Sequence, residues 1–93
     1  PNVVSFLDTM LRNKDQTIRV EEIRIRDGSA AIGETLARCG ATSTAGASLI
    51  ALRRADEPYR FTPNPDTELV ADDLLIMLGD AQVIRELDRR LAT

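Results

Sequence analysis

The 93-residue sequence predicts a small α+β domain: a β-rich sheet with short helices, preceded by a further helix and suited to pairing as a dimer. Three observations lead there. A β-branched stretch of alternating hydrophobicity occupies Thr17 to Arg26, two short and nearly all-apolar runs follow at Ser48–Leu52 and Leu74–Leu78, and the chain closes on an amphipathic helix opening at Asp80.

The first element is expected between Val3 and Asn13, where Val3, Val4, Phe6, Leu7, Met10 and Leu11 recur at helical spacing. The apolar stripe is wider than one core face needs, so this helix is expected to touch two surfaces, one of them a second chain or a neighbouring domain. Asn2 is the expected cap and Asn13 to Gln16 the hinge after it. In the strand at Thr17–Arg26 the parity breaks once: Ile18 and Val20 share one face, while Ile23 and Ile25 are offset by an odd number of residues. A β-bulge at Glu21-Glu22 would return all four to one side.

After the turn at Asp27-Gly28-Ser29, Ala30 to Cys39 is predicted as a short helix with Ile32 and Leu36 inward and Gly40 as its stop. Ser48–Leu52 reads as a strand covered on both faces, with Ala55 to Pro58 as a turn and Tyr59 to Phe61 as the return strand of a hairpin. Pro63 and Pro65 lack amide donors and impose a rigid loop. Leu74–Leu78 is the second buried strand, and Ile84, Leu87 and Leu91 form the inward stripe of the last helix.

Composition narrows function. The chain has no His, which excludes a Ser-His-Asp triad, a Cys-His pair and any histidine metal ligand within it. Ser5, Ser29, Ser43, Ser48 and Cys39 therefore have no imidazole base, and an enzyme is not expected. A single cysteine excludes an internal disulfide, and Cys39 reads as a small core residue. No apolar run approaches membrane-helix length, so direct membrane insertion is not expected. A net charge of -3 with only three aromatic residues speaks against a nucleic-acid surface. Pro1 in place of an initiator Met suggests a fragment of a longer protein.

Two groups of charged residues are candidates for binding. Glu21 and Glu22, or Asp66, Glu68, Asp72 and Asp73, would offer oxygens to a hard cation, but solvated strand and turn positions are the expected reading and no metal site is expected. Eleven of the twelve basic residues are Arg, and Arg53, Arg54 and Arg60 would meet across the hairpin. They suit either a phosphate or pairing with Asp56 and Glu57.

The order of short motifs is that of a known family. Glu22-Ile-Arg-Ile, Gly28-Ser29, Ile32-Gly-Glu-Thr-Leu36, Leu49-Ile-Ala-Leu-Arg-Arg54, Asn64-Pro-Asp66 and Asp73-Leu-Leu-Ile-Met-Leu-Gly79 resemble the C-terminal subdomain of RCK regulators, the TrkA-C domain. The resemblance spans Ile18 to about Leu91 and implies a division into a linking helix at 1–16, following an absent Rossmann-type domain, and the TrkA-C-like domain at 17–93. It implies a homodimer in the cytoplasmic part of an inner-membrane protein, a regulatory domain that carries ligand binding to the membrane pore of a potassium channel. A potassium transporter, a cation antiporter or a purely structural assembly module is the alternative. In some relatives the cleft between two subdomains holds cyclic di-AMP, and by position that ligand would meet Ser48, Leu49, Arg54 and Ala55. Where the family has Gly-Asp before its last strand this chain has Asp72-Asp73, and Asp tolerates left-handed geometry.

Overall fold

The computed structural model describes residues 18–93, so the helix expected between Val3 and Asn13, its cap and its hinge lie outside the described residues. Four strands and one helix follow in order: β1 (Ile18–Arg24), β2 (Ala47–Arg53), β3 (Arg60–Phe61), β4 (Leu74–Asp80) and α1 (Ala81–Leu91). The sheet order is β1-β4-β2-β3, and all neighbours are antiparallel. β4, the most apolar strand, thus lies inside the sheet with partners on both edges.

Helix α1 packs on β1 and β4 and covers one face of the sheet. Ile84, Leu87 and Leu91 meet Ile23, Ile25, Leu52, Leu75 and Met77 in a single buried cluster, as the stripe in the sequence predicts. Asp80 caps the helix: its carboxylate accepts from the backbone N–H of Gln82 (2.8 Å) and Val83 (3.2 Å). Arg26 reaches Asp88 at 3.1 Å, tying the end of β1 to the helix.

Three expectations require correction. The strand β1 is regular: its register against β4 runs without a shift from Ile18↔Asp80 to Arg24↔Leu74, so Glu21-Glu22 is not a bulge. Ile23 and Ile25 are buried while Val20 is 59% exposed, because the strand serves the core only at its end and turns its first apolar residues to the opposite face. The bulge occurs in β2, between Leu49 and Ala51, where Ile50 is the extra residue.

The short helix expected at Ala30–Cys39 is a chain of turns. Gly33 at φ 88° breaks it, and three of its amides bond across to the Pro loop rather than back along a helix: Gly33 to Leu69 O, Leu36 to Thr67 O and Ala37 to Pro65 O, all at 2.8 to 3.0 Å. Leu36 is buried as expected, but Ile32 is left at 37% exposure.

Finally, among the described residues, β2 and β4 are not covered on both faces. Leu75 and Met77 are fully buried beneath α1, whereas Leu74, Ile76 and Leu78, alternating with them, are only half-buried on the outer face. Among the described residues, no helix is long and apolar enough to cross a membrane.

Candidate functional site

The outer face of the sheet is the surface on which the sequence-derived site residues can be tested. Ser48 is exposed and pairs with Leu78, so its side chain stands on the outer face, in a hollow of about 430 Å³ shared with Ile18, Gly46, Leu78 and Gly79. Leu49 pairs with Met77 and packs on the core, which leaves only its backbone for an outer-face ligand. Ala55 is exposed in the hairpin turn at φ 51°. Six residue steps separate Ser48 from Arg54, about 20 Å at the rise of a strand. Within one chain, then, the four residues do not close on a single small pocket.

Arg54 is committed to an intramolecular partner. Its Nε and Nη2 donate to the two oxygens of Asp73, each at 2.9 Å, and Nη2 also donates to Glu68 O at 2.8 Å. Asp73 is fully buried, and its Oδ2 also accepts from Val70 N at 3.0 Å. The pair fastens the end of β2 to the turn that launches β4. Asp72, at φ 70°, adopts the left-handed geometry that the resemblance required of it. The hydrogen bond to Asp73 raises the Arg54 pKa further above its ordinary high value, so the guanidinium stays charged. A guanidinium carries five N–H donors; three are used here, and the two on Nη1 make no hydrogen bond among the described residues.

The three arginines do not meet at one point. Arg53 Nε lies 3.3 Å from Glu57 O and its guanidinium sits 5.4 Å from the centre of the Tyr59 ring, while Arg60 pairs with the Glu57 carboxylate at 3.0 Å. Arg60 stands across the hairpin from Leu52, not from Arg54. The acidic candidates are likewise drawn apart, with Asp72 bound to Arg24 at 3.2 Å and Asp73 to Arg54. Among the described residues no group of three acidic or cysteine side chains is placed to hold a metal ion. Cys39 is half-buried, donates to Leu36 O, and has its thiol pKa pushed up by burial.

Sequence reasoning missed two features of this surface. The partnership of Arg54 with Asp73 joins residues 19 apart, and nothing local announces it. The exposure of Tyr59 and Phe61 had a signal, since two aromatics at i and i+2 on either side of Arg60, in an extended return segment, share one face.

The family model described as the TrkA-C domain matches residues 20–92. The chain belongs to the TrkA-C domain family. Several solved structures share this TrkA-C fold. The RCK C domain of the potassium transport protein KtrA, solved with cyclic diadenosine monophosphate, is 23% identical over 94% of this chain and 96% of that one, with a TM-score of 0.66. The RCK_C domain dimer of S. agalactiae BusR, also with c-di-AMP, is 18% identical over 77% and 93%, with a TM-score of 0.65. The GsuK channel bound to NAD is 22% identical over 94% of this chain, which spans 17% of the channel chain, at a TM-score of 0.64. BusR has also been solved with its busAB-promotor DNA, at 15% identity over 97% of this chain and 46% of that chain and a TM-score of 0.65. No curated protein matches the chain. These TrkA-C likenesses establish the fold.

Proposed function

We propose that this TrkA-C domain is a dimeric regulatory module that binds a small anionic nucleotide and passes the binding event to the rest of a longer protein. The observation that carries the proposal is the outer sheet face. Val20, Leu74, Ile76 and Leu78 form an apolar surface that α1 does not cover, edged by Ser48 at one end and by Arg53 at the other, with Arg54 next in the chain. A second copy laid against this face would bury it, and would bring the two separated ends of the site into reach of one ligand. Membership of the family and the dimeric form of the BusR domain support this occupant.

Cyclic di-AMP is the first ligand to test, because the KtrA and BusR domains hold it. Arg54 would use the two donors of Nη1, held in place by Asp73, while Ser48, the Leu49 backbone and Ala55 would meet the remaining edges. Residues 1–16 would link the module to a Rossmann-type domain, and the full protein would be a potassium channel, with a transporter or antiporter as the alternative. A DNA-binding regulator is a second reading, favoured by the match to BusR, of which this chain spans less than half.

Thermal unfolding with cyclic di-AMP, ADP and calcium in separate titrations tests the proposal. A ligand present at 100 times its Kd adds about 2.7 kcal/mol to a folded state that alone binds it. Cyclic di-AMP is expected to raise the midpoint. No rise with any of the three would leave a structural assembly module as the better reading.

A further inference from the structure

The exposed side of α1 carries more positive charge than its neighbours neutralise. Arg85, Arg89 and Arg90 border a hollow of about 440 Å³ between the helix and Thr44. Glu86 accepts from Arg89 Nη1 at 2.8 Å and neutralises that guanidinium. Arg85 and Arg90 differ: among the described residues neither guanidinium makes an ion pair or a hydrogen bond. The other carboxylates of this region are engaged or out of reach. Asp88 pairs with Arg26 at 3.1 Å, Asp80 caps the helix, and Glu21 and Glu22 border Arg85 on its β1 side without coming within ion-pair distance. Arg90 Nη1 and Nη2 each lie 3.9 Å from the position a Cβ on Gly40 would take, so this glycine, at φ 93°, leaves free the space beside the guanidinium.

A basic last turn suits the helix dipole and accounts for Arg89 and Arg90. It does not account for Arg85, which lies four residues before Arg89 on the same side of the helix, a like-charge spacing that destabilises a helix and that a bound anion relieves. Three guanidiniums against the one carboxylate of Glu86 leave two positive charges on the hollow, in a chain whose net charge is -3. No aromatic ring lines it, so it gives a base nothing to stack on, whereas its unengaged N–H donors suit phosphoryl oxygens. A phosphate displaces only a few waters, at about 30 Å³ each, so a hollow of about 440 Å³ takes more than one phosphoryl group. We infer that Arg85 and Arg90, with Arg89 and Gln82 between them, form a site for a small diphosphate anion without a ring. The site lies on the side of α1 turned away from the sheet, apart from the nucleotide surface proposed above, and does not depend on it.

Titration calorimetry of the 93-residue chain with pyrophosphate tests the site, with inorganic phosphate, citrate and cyclic di-AMP as comparisons. Pyrophosphate is expected to bind at least about tenfold more tightly than phosphate, because it engages both unpaired guanidiniums, and more tightly than citrate. Arg85→Gln and Arg90→Gln, both at exposed positions, are each expected to weaken pyrophosphate binding about tenfold, the lower end of what a hydrogen bond to a charged group contributes. Arg38→Gln, which removes the same charge from an exposed arginine paired with Glu34, is expected to leave the affinity unchanged. Equal losses in all three variants would reduce the effect to diffuse attraction and overturn the site, as would the absence of heat from wild type. Pyrophosphate that is displaced by cyclic di-AMP and indifferent to Arg85→Gln and Arg90→Gln would place the anion on the outer sheet face and overturn it as well. Citrate binding as tightly as pyrophosphate would overturn the phosphoryl assignment. Heat from cyclic di-AMP is read in its own titration, so this inference and the nucleotide reading can each fail alone.

Discussion

Asp73 and Arg54 illustrate how a residue that looks suited to a ligand acquires a structural duty. Removing Arg54 would leave a carboxylate with no exposure and no counter-charge, and breaking a buried pair from one side typically costs about 3 to 5 kcal/mol. Arg54→Ala is therefore expected to lower unfolding free energy by about that amount in urea titrations, and weaker ligand binding in that variant would not by itself identify a contact. The coupling of the two side chains is read from a double-mutant cycle with Asp73→Ala. Independent, additive losses would show that the bidentate geometry contributes little.

Gly79 makes a different demand. A Cβ there would lie 2.6 Å from Ala47 Cα and closer still to Gly46 O, backbone atoms at the start of β2 and just before it that no rotamer change can relieve. Gly79→Ala is expected to cost about 3 kcal/mol, the upper part of the range for overpacking, and a loss below about 1 kcal/mol would show that β2 and β4 slide apart easily. At Cys39, burial holds the thiol protonated above its ordinary pKa. The folded state there keeps a proton that the unfolded chain releases, so this contribution to stability is present below the unfolded thiol pKa and is lost as pH rises through the folded one. Alkylation at neutral pH is expected to be slow in the native chain and fast in urea, which a mass-spectrometric time course measures.

At the scale of elements, what the sequence disclosed depended on how local the signal was. The last helix was legible in full, because its cap, its inward stripe and the basic last turn at Arg89 and Arg90 all lie within the segment itself. Asp80→Ala removes a carboxylate that satisfies two orphan amides and is expected to cost about 1 kcal/mol, with the first turn of α1 losing hydrogen-exchange protection before the rest. Uniform protection along α1 in that variant would place its stability in packing alone.

The strands were legible as strands, but their faces were not. Ile18 and Val20 read as core residues by composition, and only the pairing of β1 with β4 shows that they share the outer face with Leu78. The turns from Ala30 to Gly40 defeated local reasoning because their hydrogen bonds run to residues 65–69, some thirty positions away. For the candidate site, the resemblance named a strand and the arginine that follows it. The engagement of Arg54 by Asp73, and the inward turn of Leu49, depend on register and long-range packing that a single sequence does not carry.

Among the described residues the molecule is a sheet with one face covered and one face open. Ile23, Leu75 and Met77 close against α1, and the other side presents Val20, Ile76, Leu78 and Phe61. A domain of this size has little surface to spare for an uncovered apolar face, and pairing with a second copy is the economical cover. Light scattering is expected to give twice the chain mass at about 100 μM, where association as weak as about −5.5 kcal/mol is visible. Val20→Glu, far in sequence from the ligand candidates and exposed in the single chain, is expected to shift that mass toward the monomer without loss of secondary structure.

Isothermal titration calorimetry with cyclic di-AMP, read for stoichiometry alongside the mass of the complex, decides whether a nucleotide is held between two copies of this domain. One ligand bound for every two chains, on a complex of dimer mass, is the expected result. One ligand per chain on a species of monomer mass, or no heat at any ligand concentration, would contradict it.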